Sequence, residues 1–453
     1  MPRLRSLAYG ALVVVLLLIG AASAWFEFTP MASVVDARRA GLGAGIAALL
    51  LSYWRLRRRE RETSRPAWKL AALAGAAVTL VAAVLLLGLY REEDVRFPSG
   101  DAQLAGTLFL PRAAGVHPAV VFLHGAGREE RQAFEYQAKL FARHGIVAFA
   151  YDKRGSGQSG GSTYDADYRG YAADAAAAIR YLRSRNDIRD ACIGIMGHSE
   201  GGWIASLVAG ELVRDLSFVI VTSTTPLTPA EQVLFETGAR TRAAGFSEET
   251  VRRALDLQRR VLDYQRSGVA DPRLRRDLAA ASKEPWFAVA ELPDQLYTLE
   301  EYAWWRRVMD FDSTRYWRQV HIPVLAISGG RDLNSDVRAS QTQLRQALTS
   351  GGNRDFTGVI YPNMEHGGIE WWLPGRLPPP RFPRGYSDLL IRWSQSKFAS
   401  CNGANAAPRN PKAARAGHKG RAITEHGSES HRNHARGQLR GRDRRALPHE
   451  FHG

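Results

Sequence analysis

The chain has 453 residues, a formal net charge of +16 and a hydrophobic fraction of 45%. That length allows one large globular domain with appendages. The positive charge is concentrated near the two ends of the chain, and the long stretch between them is almost neutral. A basic surface on the globular part is therefore not expected, which argues against a nucleic-acid-binding protein.

The chain contains two cysteines, Cys192 and Cys401. The first lies in an apolar run typical of a core strand, and the second lies near the start of a basic C-terminal tail. Because these regions are not expected to pack together, we predict that the cysteines do not pair and that no disulfide framework exists.

Three apolar segments in residues 1–92 indicate a membrane region. Residues 7–25 and 70–90 are long enough to cross a bilayer, whereas residues 40–54 fall short of the roughly 20 residues that a span needs. A cleaved signal peptide is an alternative for the first segment, and a re-entrant or interfacial helix is an alternative for the short one. We therefore predict two or three transmembrane helices, with the lipid bilayer as the partner of this region.

Arginines around the third segment predict its orientation. They crowd residues 55–65, whereas residues 91–94 on the other side carry no such excess. By the positive-inside rule the arginine-rich loop is cytoplasmic. The rest of the chain is then expected on the outer or periplasmic side of the plasma membrane.

Residues 93–399 alternate between short apolar runs and amphipathic helical stretches. This alternation predicts a doubly wound, mostly parallel α/β sheet with helices on both faces. The predicted strands are a hairpin at 95–110 and single runs at 119–123, 146–151, 192–196, 218–222, 324–328 and 357–361. The predicted helices lie at 132–143, 168–184, 203–213, 337–348 and 386–398.

Residues 227–316 interrupt the alternation with charge-rich helical sequence. An insertion at this point is expected to lie above the strand ends as a lid. Most of its aromatic residues are expected to form a small core of its own, and the lining of an acyl or aromatic pocket is the alternative. These residues are Trp286, Phe287, Tyr297, Tyr302, Trp304 and Trp305.

Residues 400–453 are rich in arginine, glycine, asparagine and histidine and contain few large apolar residues. Such a sequence cannot bury a core, so we predict a disordered basic tail whose histidines are solvated. Because its composition differs so much from that of the body, a non-native reading frame is an alternative origin.

Ser199 lies within Gly197-His198-Ser199-Glu200-Gly201, between a strand-like and a helix-like run. This is the context of a G-x-S-x-G nucleophile elbow, in which a strained turn presents the serine. The glycines leave room for a close approach of strand and helix. We predict Ser199 as a catalytic nucleophile, and a chance turn is the alternative.

A serine hydroxyl needs a base to remove its proton and an acid to orient that base. On sheets of this kind the acid and then a histidine follow the nucleophile in the chain. Asp332 and His366 each come just after a predicted strand, at the sheet edge where Ser199 lies. We predict Asp332 as the orienting acid and His366 as the general base. Asp336 is a competing acid, with a helix N-terminal residue as its alternative role.

The tetrahedral intermediate of acyl transfer carries an oxyanion that needs N–H donors. The loop HGAG at 124–127 follows the strand at 119–123, as an oxyanion loop does. We predict the backbone N–H groups of Ala126 and Glu200 as the donors, and a structural role for His124.

No cofactor and no catalytic metal are expected. The glycine-rich segment at 154–161 lacks the lysine-serine ending of a P-loop and the spacing of a dinucleotide-binding loop. Neither H-E-x-x-H nor C-x-x-C occurs in the sequence. We interpret the glycine-rich segment as a structural loop near the site.

Taken together, these motifs resemble those of the α/β-hydrolase superfamily. The matching segments are HGAG at 124–127, DKRGSGQSGG at 152–161, GHSEGGW at 197–203, GGRD at 329–332 and EHGG at 365–368. Residues 95–398 are similar to two branches of this superfamily, the serine aminopeptidase/lysophospholipase-like branch and the dienelactone-hydrolase-like branch. The resemblance implies a Ser199–Asp332–His366 triad and hydrolysis through an acyl-enzyme. Glu200 departs from relatives that carry Met or Gln at that point, so the substrate stays open.

These features predict a membrane-anchored serine hydrolase that acts on carboxylic esters or related acyl compounds. A serine peptidase or aminopeptidase on short peptides, and an acyltransferase, are the enzymatic alternatives. A catalytically silent scaffold is disfavoured because serine, aspartate and histidine are all present in order. A transport role is disfavoured because the first and third apolar segments contain almost no ionisable residue.

Overall fold

The computed structural model describes residues 90–269, 271–373 and 377–402. The predicted membrane segments and the predicted tail beyond residue 402 lie outside these residues. One boundary is corrected: Tyr90, predicted as the last residue of the third membrane segment, begins a strand. Within the described ranges, no helix is both long enough and apolar enough to span a bilayer.

An eight-stranded, mostly parallel sheet forms the centre of the described chain. Its strands are β1 (Tyr90–Ser99), β2 (Ala102–Pro111), β3 (His117–Leu123), β4 (Val147–Tyr151), β5 (Ile188–His198), β6 (Val219–Thr222), β7 (Val324–Gly329) and β8 (Phe356–Tyr361). Their order across the sheet is β1-β2-β4-β3-β5-β6-β7-β8. β2 pairs antiparallel with β1 and with β4, and the other neighbours are parallel. The predicted α/β architecture is confirmed.

Helices follow most of these strands. They are α1 (Glu135–Arg143), α2 (Tyr168–Arg183), α3 (Glu200–Leu207), α4 (Pro229–Ala243), α5 (Glu248–Ser267), α6 (Leu274–Ala281), α7 (Pro285–Val289), α8 (Ala303–Val308), α9 (Thr314–Trp317), α10 (Val337–Ser350) and α11 (Tyr386–Asn402). A 3-10 turn at Arg131–Phe134 precedes α1, and a π-helical turn at Val208–Leu212 extends α3. The helix predicted at 203–213 therefore begins three residues earlier, directly after Ser199.

The sheet is buried on both faces because successive residues of a strand point to opposite sides. In β3, Val121 and Leu123 join one apolar cluster, which includes side chains of α2, α3 and α10. Val120 and Phe122 join the opposite cluster, which includes side chains of α1 and α11. This two-sided burial accounts for the unbroken apolar run that predicted the strand.

The chain between β6 and β7 forms helices α4 to α9. Their own apolar core is built largely from α5, α6 and α7. The sequence analysis singled out six aromatic residues of this insertion. Trp286, Phe287 and Tyr302 are buried in its core, and Tyr297 and Trp305 pack against that core. The prediction that most of these aromatics form a small core of the insertion is confirmed.

Cys192 and Cys401 form a disulfide, so the prediction that they do not pair is wrong. The reason is that α11 continues to Asn402 and packs over the sheet face that contains β5. One turn before Cys401, Phe398 contacts Phe218 of the same apolar cluster. The residue assigned to the tail therefore lies in the last turn of a packed helix.

A short antiparallel pair, β9 (Glu370–Leu373) and β10 (Leu377–Arg381), follows the loop after β8. The sequence did not predict it. β10 has the sequence LPPPR, and proline lacks the N–H group that a strand usually donates.

Candidate active site

Ser199 occupies the turn between β5 and α3. Its backbone φ is 50°, a left-handed value that is uncommon for a residue with a side chain. Its N–H donates to the Thr222 carbonyl at 2.9 Å, and Thr224 Oγ1 donates to its carbonyl at 3.0 Å. A Cβ atom on Gly201 would collide with the carbonyl of Leu123, so the tight turn requires glycine there. The local geometry is that of a nucleophile elbow.

The structure brings Ser199, His366 and Asp332 together at the carboxyl edge of the sheet. His366 Nε2 lies 2.9 Å from Ser199 Oγ. His366 Nδ1 lies 2.9 Å from one carboxylate oxygen of Asp332 and 3.1 Å from the other. Because a carboxylate only accepts, Nδ1 carries the imidazole proton, and Nε2 is left to accept the serine proton. The arrangement can activate Ser199 as a nucleophile.

Backbone hydrogen bonds hold the loops of the acid and the base against each other. Asp332 follows β7 and His366 follows β8, which are parallel neighbours. The Gly330 N–H donates to the Tyr361 carbonyl at 2.8 Å, and the Arg331 N–H donates to the Met364 carbonyl at 3.0 Å. These bonds fix the separation between the two catalytic candidates.

Asp336, the competing acid, lies outside this triad. Its side chain accepts the Ala339 backbone N–H at 3.0 Å and caps the N-terminus of α10. By contrast, the Asp332 side chain is fully buried beside His366. Asp336 therefore has the helix-terminal role that the sequence left open.

The two predicted oxyanion donors belong to residues on opposite sides of Ser199. Ala126 lies in the loop after β3, and Glu200 begins α3. Both line the cleft that also contains Ser199 and His366. The N-terminus of α3 contributes a favourable dipole for a negative oxygen. All five predicted site residues therefore come together in one place.

His124 anchors the loop after β3. Its Nε2 donates to the Tyr151 carbonyl at the end of β4, and its Nδ1 lies 3.3 Å from Glu129 Oε2. The same Glu129 oxygen accepts the Gly125 backbone N–H at 2.8 Å. These contacts give His124 the structural position that the sequence predicts, away from the serine hydroxyl.

A buried ion pair that the sequence did not predict lies beside the elbow. Lys153 Nζ is 2.5 Å from Glu200 Oε1, and the two side chains are 4% and 2% exposed. Burial raises the pKa of Glu200, and the Lys153 ammonium counteracts this only in part. Lys153 lies in the DKRG segment and Glu200 in the GHSEG segment, but neither segment by itself indicates that the two side chains pair.

His198, the residue before the nucleophile, also lines the cleft. Its Nδ1 lies 3.0 Å from Thr222 Oγ1, and its ring centroid is 5.5 Å from that of His366. Removal from water lowers the pKa of His198 to about 4, and the nearby His366 acts in the same direction. His198 is therefore neutral at pH 7 and adds no positive charge near Ser199.

Glu129, Glu236 and Glu291 give the cleft an acidic wall. Arg240 Nη atoms lie 2.5 Å from Glu236 and 3.1 Å from Glu291. Burial opposes ionisation of Glu129 and by itself would raise the pKa of this carboxyl. The hydrogen bond and the electrostatic interaction with His124 outweigh burial and lower the pKa of Glu129 to about 2. Glu291 also has a left-handed backbone, with φ of 53°. Three carboxylates thus face the cleft, and one guanidinium is shared by two of them.

The cleft above Ser199 holds about 560 Å³ of empty space, part of it open to solvent. Tyr168, Trp203 and Trp305 supply apolar walls. Trp305 is the one of the six insertion aromatics that lines this cleft, so the pocket-lining alternative holds for it. Among the described residues, no group of three or more His, Cys, Asp or Glu side chains is arranged to hold a metal ion.

Residues 114–369 match the family model described as serine aminopeptidase, S33. This match covers more than half of the chain and includes Ser199, Asp332 and His366. The chain belongs to this family. Its mostly parallel sheet is that of the α/β-hydrolase fold.

Two curated relatives match parts of this S33-family chain. Acyl-coenzyme A thioesterase 1 of Mus musculus is 29% identical over 128 residues, which are 28% of this chain and 28% of that protein. Esterase EstD of Thermotoga maritima is 20% identical over 273 residues, which are 58% of this chain and 57% of that protein. The chain therefore spans somewhat more than half the length of EstD and less than a third of the thioesterase.

One solved structure with similarity is an esterase of Pyrococcus furiosus. It is 15% identical, the superposition has a TM-score of 0.44, and it covers 69% of this chain and 91% of that chain.

Proposed function

We propose that the chain is a membrane-anchored serine hydrolase that cleaves carboxylic ester or related acyl bonds. The observation that carries the proposal is the continuous contact from Ser199 Oγ through His366 to Asp332, with both shortest distances at 2.9 Å. A serine hydroxyl is a weak nucleophile unless a positioned base removes its proton. The names of the two relatives, an esterase and a thioesterase, support an acyl bond as the target.

In the acylation step, Ser199 Oγ attacks the carbonyl carbon of the substrate while His366 Nε2 takes its proton. Asp332 stabilises the resulting imidazolium and keeps the ring oriented. The backbone N–H groups of Ala126 and Glu200 bind the oxyanion. The bond to the leaving alcohol then breaks, and His366 returns the proton to that alcohol.

In the deacylation step, water attacks the acyl-enzyme and His366 takes a proton from it. Collapse of the second tetrahedral intermediate breaks the bond to Ser199 Oγ, which recovers its proton from His366. The products are a carboxylic acid and the free enzyme. Carboxylic esters are the first substrates to consider because an alcohol leaves with less assistance than an amine.

Membrane attachment is proposed for the apolar segments at 7–25, 40–54 and 70–90, with the hydrolase domain on the outer or periplasmic side. The arginines of residues 55–65 support this orientation. The disulfide between Cys192 and Cys401 supports it independently, because disulfides persist mainly in oxidising compartments.

The helical insertion is proposed to act as a lid. Gln232, Glu236, Glu291 and Trp305 all belong to it, and all line the cleft above Ser199. Closure of these residues over a bound acyl group would exclude bulk water and strengthen the electrostatic contacts in the site.

A second candidate activity is that of an aminopeptidase on short peptides. The observation in its favour is the acidic wall of Glu129, Glu236 and Glu291, which gives a free substrate amine carboxylate partners close to the nucleophile. A peptide amide needs a stronger proton donor to its leaving amine than an ester needs, and His366 is the group placed to supply it.

One panel of substrates separates these candidates. Full-length protein in detergent is assayed with p-nitrophenyl esters of rising acyl length and with aminoacyl p-nitroanilides, and Ser199→Ala serves as the blank. Turnover of esters alone, abolished in the variant, is the result that we expect. Turnover of the anilides would favour the aminopeptidase. Equal turnover by the variant would rule out Ser199 as the nucleophile.

A further inference from the structure

Lys153 contacts both halves of the predicted oxyanion hole. Its ammonium donates to the Gly125 carbonyl at 2.7 Å and to Glu200 Oε1 at 2.5 Å. The ring of Tyr171 covers another side of the ammonium, with its centroid 4.6 Å from Nζ. The side chain is buried, so these contacts rather than water satisfy its charge.

The Gly125 carbonyl and the Ala126 N–H belong to the same peptide unit. That unit is planar, and in the trans form its C=O and N–H bonds point in opposite directions. A donor that fixes the direction of the Gly125 carbonyl therefore also fixes the direction of the Ala126 N–H. A cation on the carbonyl oxygen further polarises the peptide and makes that N–H a stronger donor.

The second contact of Lys153 reaches the other half of the hole. Glu200 supplies the second predicted N–H donor, and its side chain is held by the same ammonium. Glu200 is also the first residue of α3, directly after Ser199. The distance between the loop after β3 and the start of α3 is therefore set in part by one lysine that is bonded to both.

We infer that Lys153 is a positioning residue that holds the Ala126 and Glu200 backbone N–H groups at the separation and angle that the oxyanion needs. The inference rests on the proposed serine hydrolase function. It assigns to Lys153 an effect on the chemical step, through backbone groups, rather than an effect on substrate binding.

The competing explanation is that the Lys153–Glu200 pair only stabilises the fold. Removal of one partner of a buried pair leaves the other charge uncompensated, so single substitutions do not separate the explanations. The double variant Lys153→Met/Glu200→Gln removes the cation and leaves no unpaired carboxylate. If it does not fold, the apolar pair Lys153→Met/Glu200→Leu takes its place, since apolar replacement of a buried pair is often neutral.

The chain offers a matched control for the loss of a buried lysine. Lys139 is 2% exposed and lies 2.6 Å from Glu135 within α1, and neither residue lines the cleft. Lys139→Met/Glu135→Gln therefore removes a similar ion pair without touching the oxyanion loop or the elbow. Thermal unfolding of each full-length variant in detergent establishes that it is folded.

Two readouts are measured with each folded variant. The first is kcat and KM for p-nitrophenyl butyrate, and the second is the inhibition constant of an alkyl trifluoromethyl ketone, which forms a tetrahedral oxyanion on the serine. We expect kcat of the Lys153 double variant to fall about 10- to 100-fold, with little change in KM. This fall in kcat is smaller than or similar to the fall caused by removal of a whole oxyanion donor. Inhibition by the ketone should weaken by a similar factor, and the Lys139 control should keep wild-type values.

Three results would overturn the inference. The first is a folded Lys153 double variant that keeps kcat within about threefold of wild type, and the second is a folded variant that loses kcat while the ketone binds as tightly as before. The third is a rise in KM that accounts for the whole loss, which would assign Lys153 to substrate binding instead. Absence of ester turnover by the wild-type protein would count against the proposed function itself, so the two failures are distinguishable.

Discussion

Replacement of Asp332 by asparagine tests how His366 becomes a base. In the native site, Asp332 Oδ1 accepts the Asn334 N–H at 2.8 Å, while Oδ2 makes the shorter contact, 2.9 Å, with His366 Nδ1. An asparagine of the same shape must place its amide oxygen where the Asn334 N–H points. Its NH₂ group then faces Nδ1 of His366. A donor at that point favours the imidazole tautomer with its proton on Nε2, and this tautomer cannot accept the proton of Ser199.

The expected decrease in kcat is large because the substitution impairs the chemical step. A wrong tautomer and the loss of a buried negative charge beside the imidazolium together should lower kcat by about 10³- to 10⁴-fold. This corresponds to about 4 to 5.5 kcal/mol of transition-state stabilisation. The Asp332 side chain has no solvent exposure, so water cannot reach Nδ1 to replace the carboxylate. KM should change little, because the Asp332 side chain and His366 Nδ1 are not expected to contact the substrate.

The assay compares Asp332→Asn with Asp336→Asn, four residues further along the chain. Asparagine caps a helix about as well as aspartate, so the control should keep its stability and its kcat. Initial rates with p-nitrophenyl butyrate and the thermal unfolding midpoint are measured for both full-length proteins. A folded Asp332→Asn variant that keeps more than about a tenth of the native kcat would refute the assignment of the acid. A larger loss in Asp336→Asn would move the role to that residue.

Two further predictions concern stability. Oxidised wild-type protein should be about 2 to 5 kcal/mol more stable to denaturant than Cys401→Ala, because the disulfide to Cys192 closes a loop of 209 residues. A reducing agent should abolish this difference in stability. Equal stabilities of the two oxidised proteins would contradict the cross-link. His198→Asn should flatten the pH dependence of unfolding. The folded-state pKa of His198, about 4, lies below its ordinary 6.5. Within that window the unfolded chain binds more protons, so the wild type loses stability as the pH falls. Urea titrations across the window measure this, and parallel curves for the two proteins would show that His198 does not cause the loss.

Much of the site could be predicted because each member follows a recognisable strand. Ser199 comes directly after the run that forms β5, and Asp332 and His366 come within a few residues of the ends of β7 and β8. Parallel strands end at one edge of a sheet, so residues far apart in the chain are brought together without further information. The sequence favours Asp332 over the competing acid Asp336, and the structure separates the two: Asp332 contacts His366, whereas Asp336 caps α10.

The contacts that escaped prediction depend on how elements dock. Cys401 pairs with Cys192 because α11 packs over β5, and neither periodicity nor composition specifies that registry. Trp305 resembles the other aromatics of the insertion in sequence, yet it alone of the six lines the cleft. Whether Trp305 faces the cleft or the core depends on how α8 is rotated about its axis. A helix of six residues is too short for its hydrophobic pattern to specify that rotation.

The Lys153–Glu200 pair joins two segments that the sequence predicts to lie at the site, through a contact that the sequence does not predict. Two charges moved out of water cost several kcal/mol each, and an apolar pair of similar volume is often as stable or more so. Fold stability alone is therefore a weak reason for this pair at the base of the elbow. The Lys139–Glu135 pair differs in two respects: it joins residues within one helix, and its carboxylate is 19% exposed. Lys153 instead bonds the loop after β3 and the first residue of α3, the two places that carry the predicted oxyanion donors. If Lys153 has the positioning role that we infer, a cost in stability at this point is offset by a fixed geometry for charge that develops only in the transition state.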